Sequence, residues 1–332
     1  MDLISQQESG GRHDADILPV GFRDHAMNGS RIQRTVYEVQ QHFRYRYPAP
    51  ICDLRQRLVV VPRLVHGNQR VLSQRLEVSQ PHSRKRMRVD RFGNVVFEIS
   101  IPKVEEAVDF DLSLIVERLT GQERHLEAAT RQALNVYLLP SALTRPDAAL
   151  RAVAAKLACS GQKGADLARA VGGWVYRRMS YGFDRTAVHT TAGQALAAGR
   201  GVCQDYTHLM LALCRLLGIP ARYVSGHLVG DGGTHAWVEV LAPVPGQAVE
   251  ILAWDPTHDR PSDLRYLTVA VGRDYRDVAP VSGTYCGPHA GWLSAARRVS
   301  VDRDTTVATI ADDPRPPRSA TWRPRSRIRG PL

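Results

Sequence analysis

Between Gly201 and Pro220 the chain has room for little besides one apolar-faced helix that starts at a cysteine. After Gly201-Val202-Cys203-Gln204-Asp205, apolar side chains recur at Tyr206, Leu209, Met210, Leu213, Leu216 and Leu217. That is the i, i+3, i+4 spacing of a helix with a buried face. Gly218 and Pro220 end the run. Three β-rich stretches follow, Ala221 to Val229, Thr234 to Leu241 and Val249 to Trp254. Helices followed by an antiparallel sheet predict an α+β domain.

The chemistry sits at the ends of these elements. A helix N-terminus carries partial positive charge, which favours thiolate, the nucleophilic form of a cysteine placed there. His235 opens the second stretch and Asp255 closes the third, in Thr234-His235-Ala236-Trp237 and Trp254-Asp255-Pro256. Cysteine, histidine and aspartate are the parts of a thiol acyl-transfer site. If the two stretches form a hairpin about Pro245, His235 and Asp255 are equally far from the turn. They would then face each other with Cβ atoms about 4.5–5.5 Å apart. A one-residue slip would put them on opposite faces. The backbone N–H of Cys203 is a natural donor to an oxyanion, and Gln194 or the Thr190-Thr191 loop is a candidate for a second.

Other polar residues nearby have plainer readings. Asp205 complements the helix dipole, and His208 either faces the cleft or packs inside it. Trp237 reads as core or site wall. Glu239 shares the face of His235 by strand alternation and is expected to be solvated. Cys214 lies among leucines and reads as core, whereas Cys52, Cys159 and Cys286 show no partner pattern. His227, His235, Asp255 and His258 lack a tight ligand pair such as H-x-x-x-H, so neither metal nor cofactor is expected.

Along the chain, 332 residues at 43% hydrophobic allow two modest domains with real cores. Residues 1–30 are polar and aperiodic and are expected to be disordered. Residues 31–120 alternate β-rich stretches with turn signals, at 33–43, 53–61, 69–78, 94–101 and 110–119, which predicts an all-β sandwich. Residues 121–164 are Ala-rich and predict a helical connector, 165–311 the catalytic domain, and 312–332 a Pro/Arg-rich disordered tail. Beyond Tyr266 the chain reads as loop-rich, with a last strand near 298–310. The formal charge of +11 comes partly from that tail and from Arg84-Lys85-Arg86-Met87-Arg88. Neither run comes with a nucleic-acid-reading motif, so nucleic acid is not an expected partner. Five cysteines and the absence of a signal-peptide pattern or a long apolar run point to a cytoplasmic protein without membrane contact.

The segments Gly201-Val202-Cys203-Gln204-Asp205-Tyr206-Thr207-His208, Cys214-Arg215-Leu216-Leu217-Gly218-Ile219-Pro220, His235-Ala236-Trp237-Val238-Glu239-Val240 and Trp254-Asp255-Pro256-Thr257 together resemble the transglutaminase-like superfamily of bacteria. Gly272-Arg273-Asp274-Tyr275-Arg276-Asp277-Val278-Ala279-Pro280 resembles the stretch that follows its core, which makes Tyr275 a site-lining candidate. The β-rich first half, with Asp90-Arg91-Phe92-Gly93-Asn94, is similar to its N-terminal accessory domain. The resemblance implies a papain-like α+β core and a Cys203-His235-Asp255 triad acting on a peptide or protein amide through a thioester. Water or an amine would resolve that thioester, and hydrolysis is the expectation here, since no dedicated amine site is visible. Family members without activity also exist, so a non-catalytic binding or scaffold role is the alternative.

Overall fold

The computed structural model describes residues 32–119, 126–128, 131–182, 187–230, 234–244, 248–301 and 307–308. The expected disordered ends, 1–30 and 312–332, lie outside the described residues. The first half is a β-sandwich. Its strands are β1 (Ile32–Arg46), β2 (Ile51–Leu58), β3 (Val65–His66), β4 (Gln69–Val78), β5 (Arg84–Val89), β6 (Val95–Val104) and β7 (Ala107–Leu119). Period-2 alternation puts Tyr37, Val39, Phe43, Leu54, Leu58, Ile99, Ile101, Phe110, Leu112 and Leu114 inward, where strands of both sheets share one core. The basic run at 84–88 is an exposed edge strand, a placement in which charge discourages further pairing.

The expected connector holds a short strand, β8 (Leu126–Ala128), then α1 (Arg131–Leu138) and α2 (Ala148–Ala158). Next come α3 (Gly164–Arg178), β9 (Ser180–Tyr181), α4 (Ala192–Ala198), β10 (Arg200–Gly201) and α5 (Cys203–Leu216). The α5 helix is buried from Gln204 to Arg215, so its apolar stripe meets the sheet while α2, α3 and α4 cover the rest. The sheet is built from β11 (Ala221–Leu228), β12 (Thr234–Val244), β13 (Ala248–Asp255), β14 (Arg260–Pro261) and β15 (Tyr266–Gly272), ordered β14-β13-β12-β11-β15. After α6 (Tyr275–Val278) come β16 (Val281–Cys286), β17 (Trp292–Val301) and β18 (Val307–Ala308).

Two features differ from the sequence reading. The chain beyond Tyr266 is not loop-rich: β15 is buried along its whole length. Its run Leu267-Thr268-Val269-Ala270-Val271 is short and covered on both faces, so no alternation betrays it. The last strands also leave the segment expected to form the catalytic domain. β16 pairs with β2, and β17 pairs with β1 over ten residues, so the C-terminal strands complete the sandwich.

The sandwich in turn finishes the core sheet. β15 is an edge strand, yet its outer backbone groups are paired by two side-chain amides. Gln69 donates to Thr268 O at 2.7 Å and accepts from Thr268 N at 2.9 Å. Asn94 does the same at Val271, at 2.8 Å in both directions. Each amide behaves as a one-residue strand, so no buried donor or acceptor of β15 is stranded at these positions. These bonds fix the two halves against each other and hold β15, which carries Tyr266, in place.

Candidate active site

Cys203 is the first residue of α5, after an extended Val202. The Asp205 carboxylate accepts the Val202 backbone N–H at 2.8 Å and is fully buried. This bond locks the turn that aims Cys203. Gly201 is required by it: a Cβ there would lie 2.4 Å from Asp205 Oδ2. Asp205 thus places an acid in the first helical turn, as expected, and in addition shapes the chain before the cysteine.

His235 and Asp255 come together, although not by the expected register. The β12–β13 ladder pairs Val238 with Trp254 and Val244 with Ala248, so Trp237, not His235, stands opposite Asp255 in that frame. The shift is two residues, and a period-2 strand keeps its faces under an even shift. His235 Nε2 therefore still reaches Asp255 Oδ2, at 2.7 Å. The imidazole also has the Cys203 side chain as a hydrogen-bond neighbour. His235 therefore stands between Asp255 and Cys203 in the hydrogen-bond order.

Asp255 has further partners that the sequence did not single out. Tyr266 Oη donates to Oδ2 at 2.7 Å, His258 Nδ1 lies 2.7 Å from the same oxygen, and the Thr257 N–H binds Oδ1 at 2.8 Å. Arg260 Nε donates to Tyr266 Oη at 2.9 Å. The only sequence signal for these was position: Thr257, His258 and Arg260 follow Asp255 within a turn, and Tyr266 opens the next strand.

The electrostatics follow from burial set against these bonds. Burial alone would raise Asp255, but the bonds from His235, His258 and Tyr266 hold it well below the usual carboxylate range. Burial alone would lower His235, but its bonds to Asp255 and Cys203 and the charge on both raise it to about 10. Imidazolium is the favoured form at neutral pH.

Trp237 is buried and its ring lies 6.2 Å from that of His235 at 25°, so it forms the wall behind the imidazole. Gly226, opposite His235 in the β11–β12 ladder, makes room for it: a Cβ there would sit 2.5 Å from the Trp237 ring and 2.1 Å from Leu267 O. His208 is fully buried and packs on Tyr223 at 5.3 Å; its Nε2 accepts the Tyr275 N–H at 3.2 Å. Burial lowers it to about 4, so it is a neutral packing residue and not a cleft residue. Tyr275, half-buried, uses its backbone to anchor that ring. Gln194 Oε1 accepts from Thr191 N at 2.9 Å and closes the capping box of α4. That structural use accounts for Gln194, and among the described residues no hydrogen bond joins it to the cysteine.

The expectation that Glu239 is solvated is corrected. It is 2% exposed, with Oε1 2.9 Å from His66 Nε2 and Oε2 accepting from Arg222 Nε at 2.7 Å. Arg222 also forks onto Glu127 at 2.8 and 2.9 Å. Cys214 is buried, as expected, and burial pushes its thiol up to about 12. Cys52 and Cys286 do have a partner pattern, since they are opposite each other in the β2–β16 ladder, and both are exposed. Among the described residues, one grouping has the spacing of metal ligands: His235, Asp255 and His258, with atoms within 4.8 Å of one another. Those atoms are already joined by the two 2.7 Å bonds to a single carboxylate oxygen, which suits a hydrogen-bonded cluster.

The comparisons with known proteins agree with this architecture. The family model of the transglutaminase-like superfamily matches residues 151–248, and that of the bacterial transglutaminase-like N-terminal region matches residues 37–117. An uncharacterized protein of Mycobacterium leprae is 31% identical over 264 residues, which cover 73% of this chain and 90% of that protein. Another, from Mycobacterium tuberculosis, is 38% identical over 120 residues, 33% of this chain and 38% of its own length. The crystal structure of a candidate cysteine protease from Cytophaga hutchinsonii superposes with a TM-score of 0.65 at 20% identity, covering 82% of this chain and 93% of that one, a likeness of fold. Asp255 lies beyond the matched core segment, so its place in the site rests on the geometry above. With a core and an N-terminal region that both match, and a relative aligned over nearly its whole length, the chain belongs to the transglutaminase-like superfamily, in the bacterial arrangement of a β-rich N-terminal region ahead of the core.

Proposed function

We propose that this protein is a thiol-dependent hydrolase or acyl transferase acting on peptide or protein amides through Cys203, His235 and Asp255. One observation carries the reading: a single buried imidazole bonds the Asp255 carboxylate at 2.7 Å and has the Cys203 side chain as its other hydrogen-bond partner. In this reading the Cys203 sulfur attacks the carbonyl carbon while His235 holds the thiol proton. The oxyanion is met by the Cys203 backbone N–H at the start of α5. Collapse of the tetrahedral adduct breaks the C–N bond, and His235 gives its proton to the departing amine. Water, or an acceptor amine, then attacks the thioester as His235 takes a proton from it, and the thiolate leaves. Asp255 keeps the ring in one tautomer and stabilises the imidazolium. Hydrolysis is the favoured outcome of the second step.

The test is labelling with a thiol-reactive acyl probe at neutral pH, read by peptide mass spectrometry, followed by profiling of amide substrates. Cys203 should be modified first, and the rate should collapse in His235→Ala. Preferential modification of Cys52 or Cys286 in the folded protein would defeat the assignment. An unreactive Cys203 in a folded protein would instead support a non-catalytic, scaffold role.

A further inference from the structure

Trp237 and Tyr266 back onto His235 and Asp255, and both also line a cavity of about 350 Å³ between the sandwich and the core. Its polar lining comes from both halves of the chain: Arg118 of β7 and His66 of β3, with Glu239 and Thr268 from the core sheet. Its volume falls at the lower end of small-molecule sites, which run from about 300 to 1,000 Å³.

Arg118 is the residue without an explanation. It is 8% exposed, yet its Nε has no hydrogen-bond partner among the described residues. Its Nη2 donates only to a backbone carbonyl, that of Asp263, at 3.2 Å. The one carboxylate lining the cavity, Glu239, is already engaged by His66 and by Arg222. Glu239 and Asp263 act on the guanidinium through space, but no carboxylate among the described residues hydrogen-bonds it. A buried guanidinium without a hydrogen-bonded acid is costly, and an anion bound beside it would offset that cost. The planar donor fork of arginine suits a carboxylate, which accepts two parallel N–H bonds. Around this charge the walls are aromatic and aliphatic, with Trp254, Ile251 and Leu252 beside Trp237 and Tyr266.

We propose that this interdomain cavity is a binding site for a small organic carboxylate with an apolar body, its carboxylate held by Arg118. The ligand would rest against the two aromatic residues that support the imidazole and the carboxylate of the candidate active site. Binding would thus stiffen the wall behind His235 from the side away from Cys203.

The experiment titrates the full chain, as wild type and as Cys203→Ala, with phenylacetate and with its neutral counterpart phenylacetamide. Tryptophan fluorescence and the thermal midpoint are both followed. Using Cys203→Ala separates this result from any outcome for the thiol chemistry. The expected result is a saturable fluorescence change and a rise in midpoint with phenylacetate in both proteins, with the amide at least about tenfold weaker. Arg118→Met should lose the preference for the carboxylate. Should Arg118→Met fail to fold, Ser262→Trp at the half-exposed rim serves in its place, since it fills the cavity and leaves Arg118 intact. Absence of saturable phenylacetate binding at millimolar concentration would overturn the proposal. So would equal binding of acid and amide, or unchanged binding in Ser262→Trp.

Discussion

His235 Nε2 lies 2.7 Å from Asp255 Oδ2, although the two residues are diagonal neighbours in their ladder and not direct partners. The diagonal matters because it leaves Asp255 at the strand end, where Thr257, His258 and Tyr266 can reach it as well. Asp255→Asn should keep the fold, since an amide oxygen can accept most of these bonds. It should lower kcat by about tenfold or more, because a neutral amide stabilises imidazolium poorly. His235→Ala should cost on the order of a hundred- to ten-thousandfold, the usual worth of a positioned proton carrier. Circular dichroism controls for folding, and near wild-type turnover in folded Asp255→Asn would remove Asp255 from the mechanism.

Glu239 ties the halves of the molecule together, with His66 from the sandwich on one oxygen and Arg222 from the core sheet on the other. Its pKa is set by competing effects: burial raises it, and Arg222 and His66 more than reverse that. Glu239→Ala removes the acid and leaves the Arg222 guanidinium, 5% exposed at its side chain, with Glu127 as its remaining carboxylate partner among the described residues. Breaking a buried pair in this way costs about 3–5 kcal/mol. Urea unfolding should show that loss in the midpoint at unchanged slope, and a loss below 1 kcal/mol would mean that Glu127 alone satisfies Arg222 (roughly the worth of an exposed pair).

Helix α5 was legible because its apolar period, its Gly201 start and its Gly218 stop are all local. The faces of His235 and Asp255 were also legible, since period 2 tolerates the two-residue error in register. Glu239 was misread for the opposite reason. Alternation says which face a residue takes, but its partner His66 is 173 positions away. The same distance effect hid β16 and β17, whose partners β2 and β1 lie more than 200 residues earlier. Tyr266 had no local mark at all. It acts through a carboxylate on another strand, and a lone tyrosine ahead of an apolar run looks like core.

The pH dependence of stability follows from the raised His235. A histidine whose folded pKa is about 10 binds its proton more tightly folded than unfolded, where it titrates near 6.5. Its contribution is complete below pH 6.5, shrinks as pH rises, and is gone above about 10. Asp255 works in the opposite sense: its depressed value adds stability above the ordinary carboxylate pKa, and that is lost as pH falls through the folded value. The thermal midpoint of the wild type should therefore exceed that of His235→Gln by most near pH 6, and the gap should close towards pH 10. Each kcal/mol corresponds to about 2–4 °C for a chain of this order of size. A gap that widens with pH would mean that His235 is neutral in the folded protein.

Tyr266→Phe tests whether the bonds around Asp255 serve the reaction or only the fold. The substitution keeps the ring, which meets Trp237 edge-on at 5.3 Å, and removes only the hydroxyl that donates to Asp255 and accepts from Arg260. Arg260 is half-buried and can turn to water. Asp255, fully buried, cannot, and loses one of the bonds that hold its pKa down. A hydrogen bond to a charged group is worth about 1.5–3 kcal/mol, so a stability loss of that order is expected. Stability alone does not separate the two roles, because a structural bond would give the same loss. The separating measurement is the pH profile of kcat on any accepted amide or acyl substrate. With one donor gone, Asp255 becomes easier to protonate, so activity should begin to fall at a higher pH on the acid side, while KM stays close to wild type. Tyr266→Phe with a wild-type acid limb and unchanged kcat, but reduced stability, would assign the hydroxyl to the fold and leave His258 and the Thr257 N–H as the groups that keep the carboxylate charged.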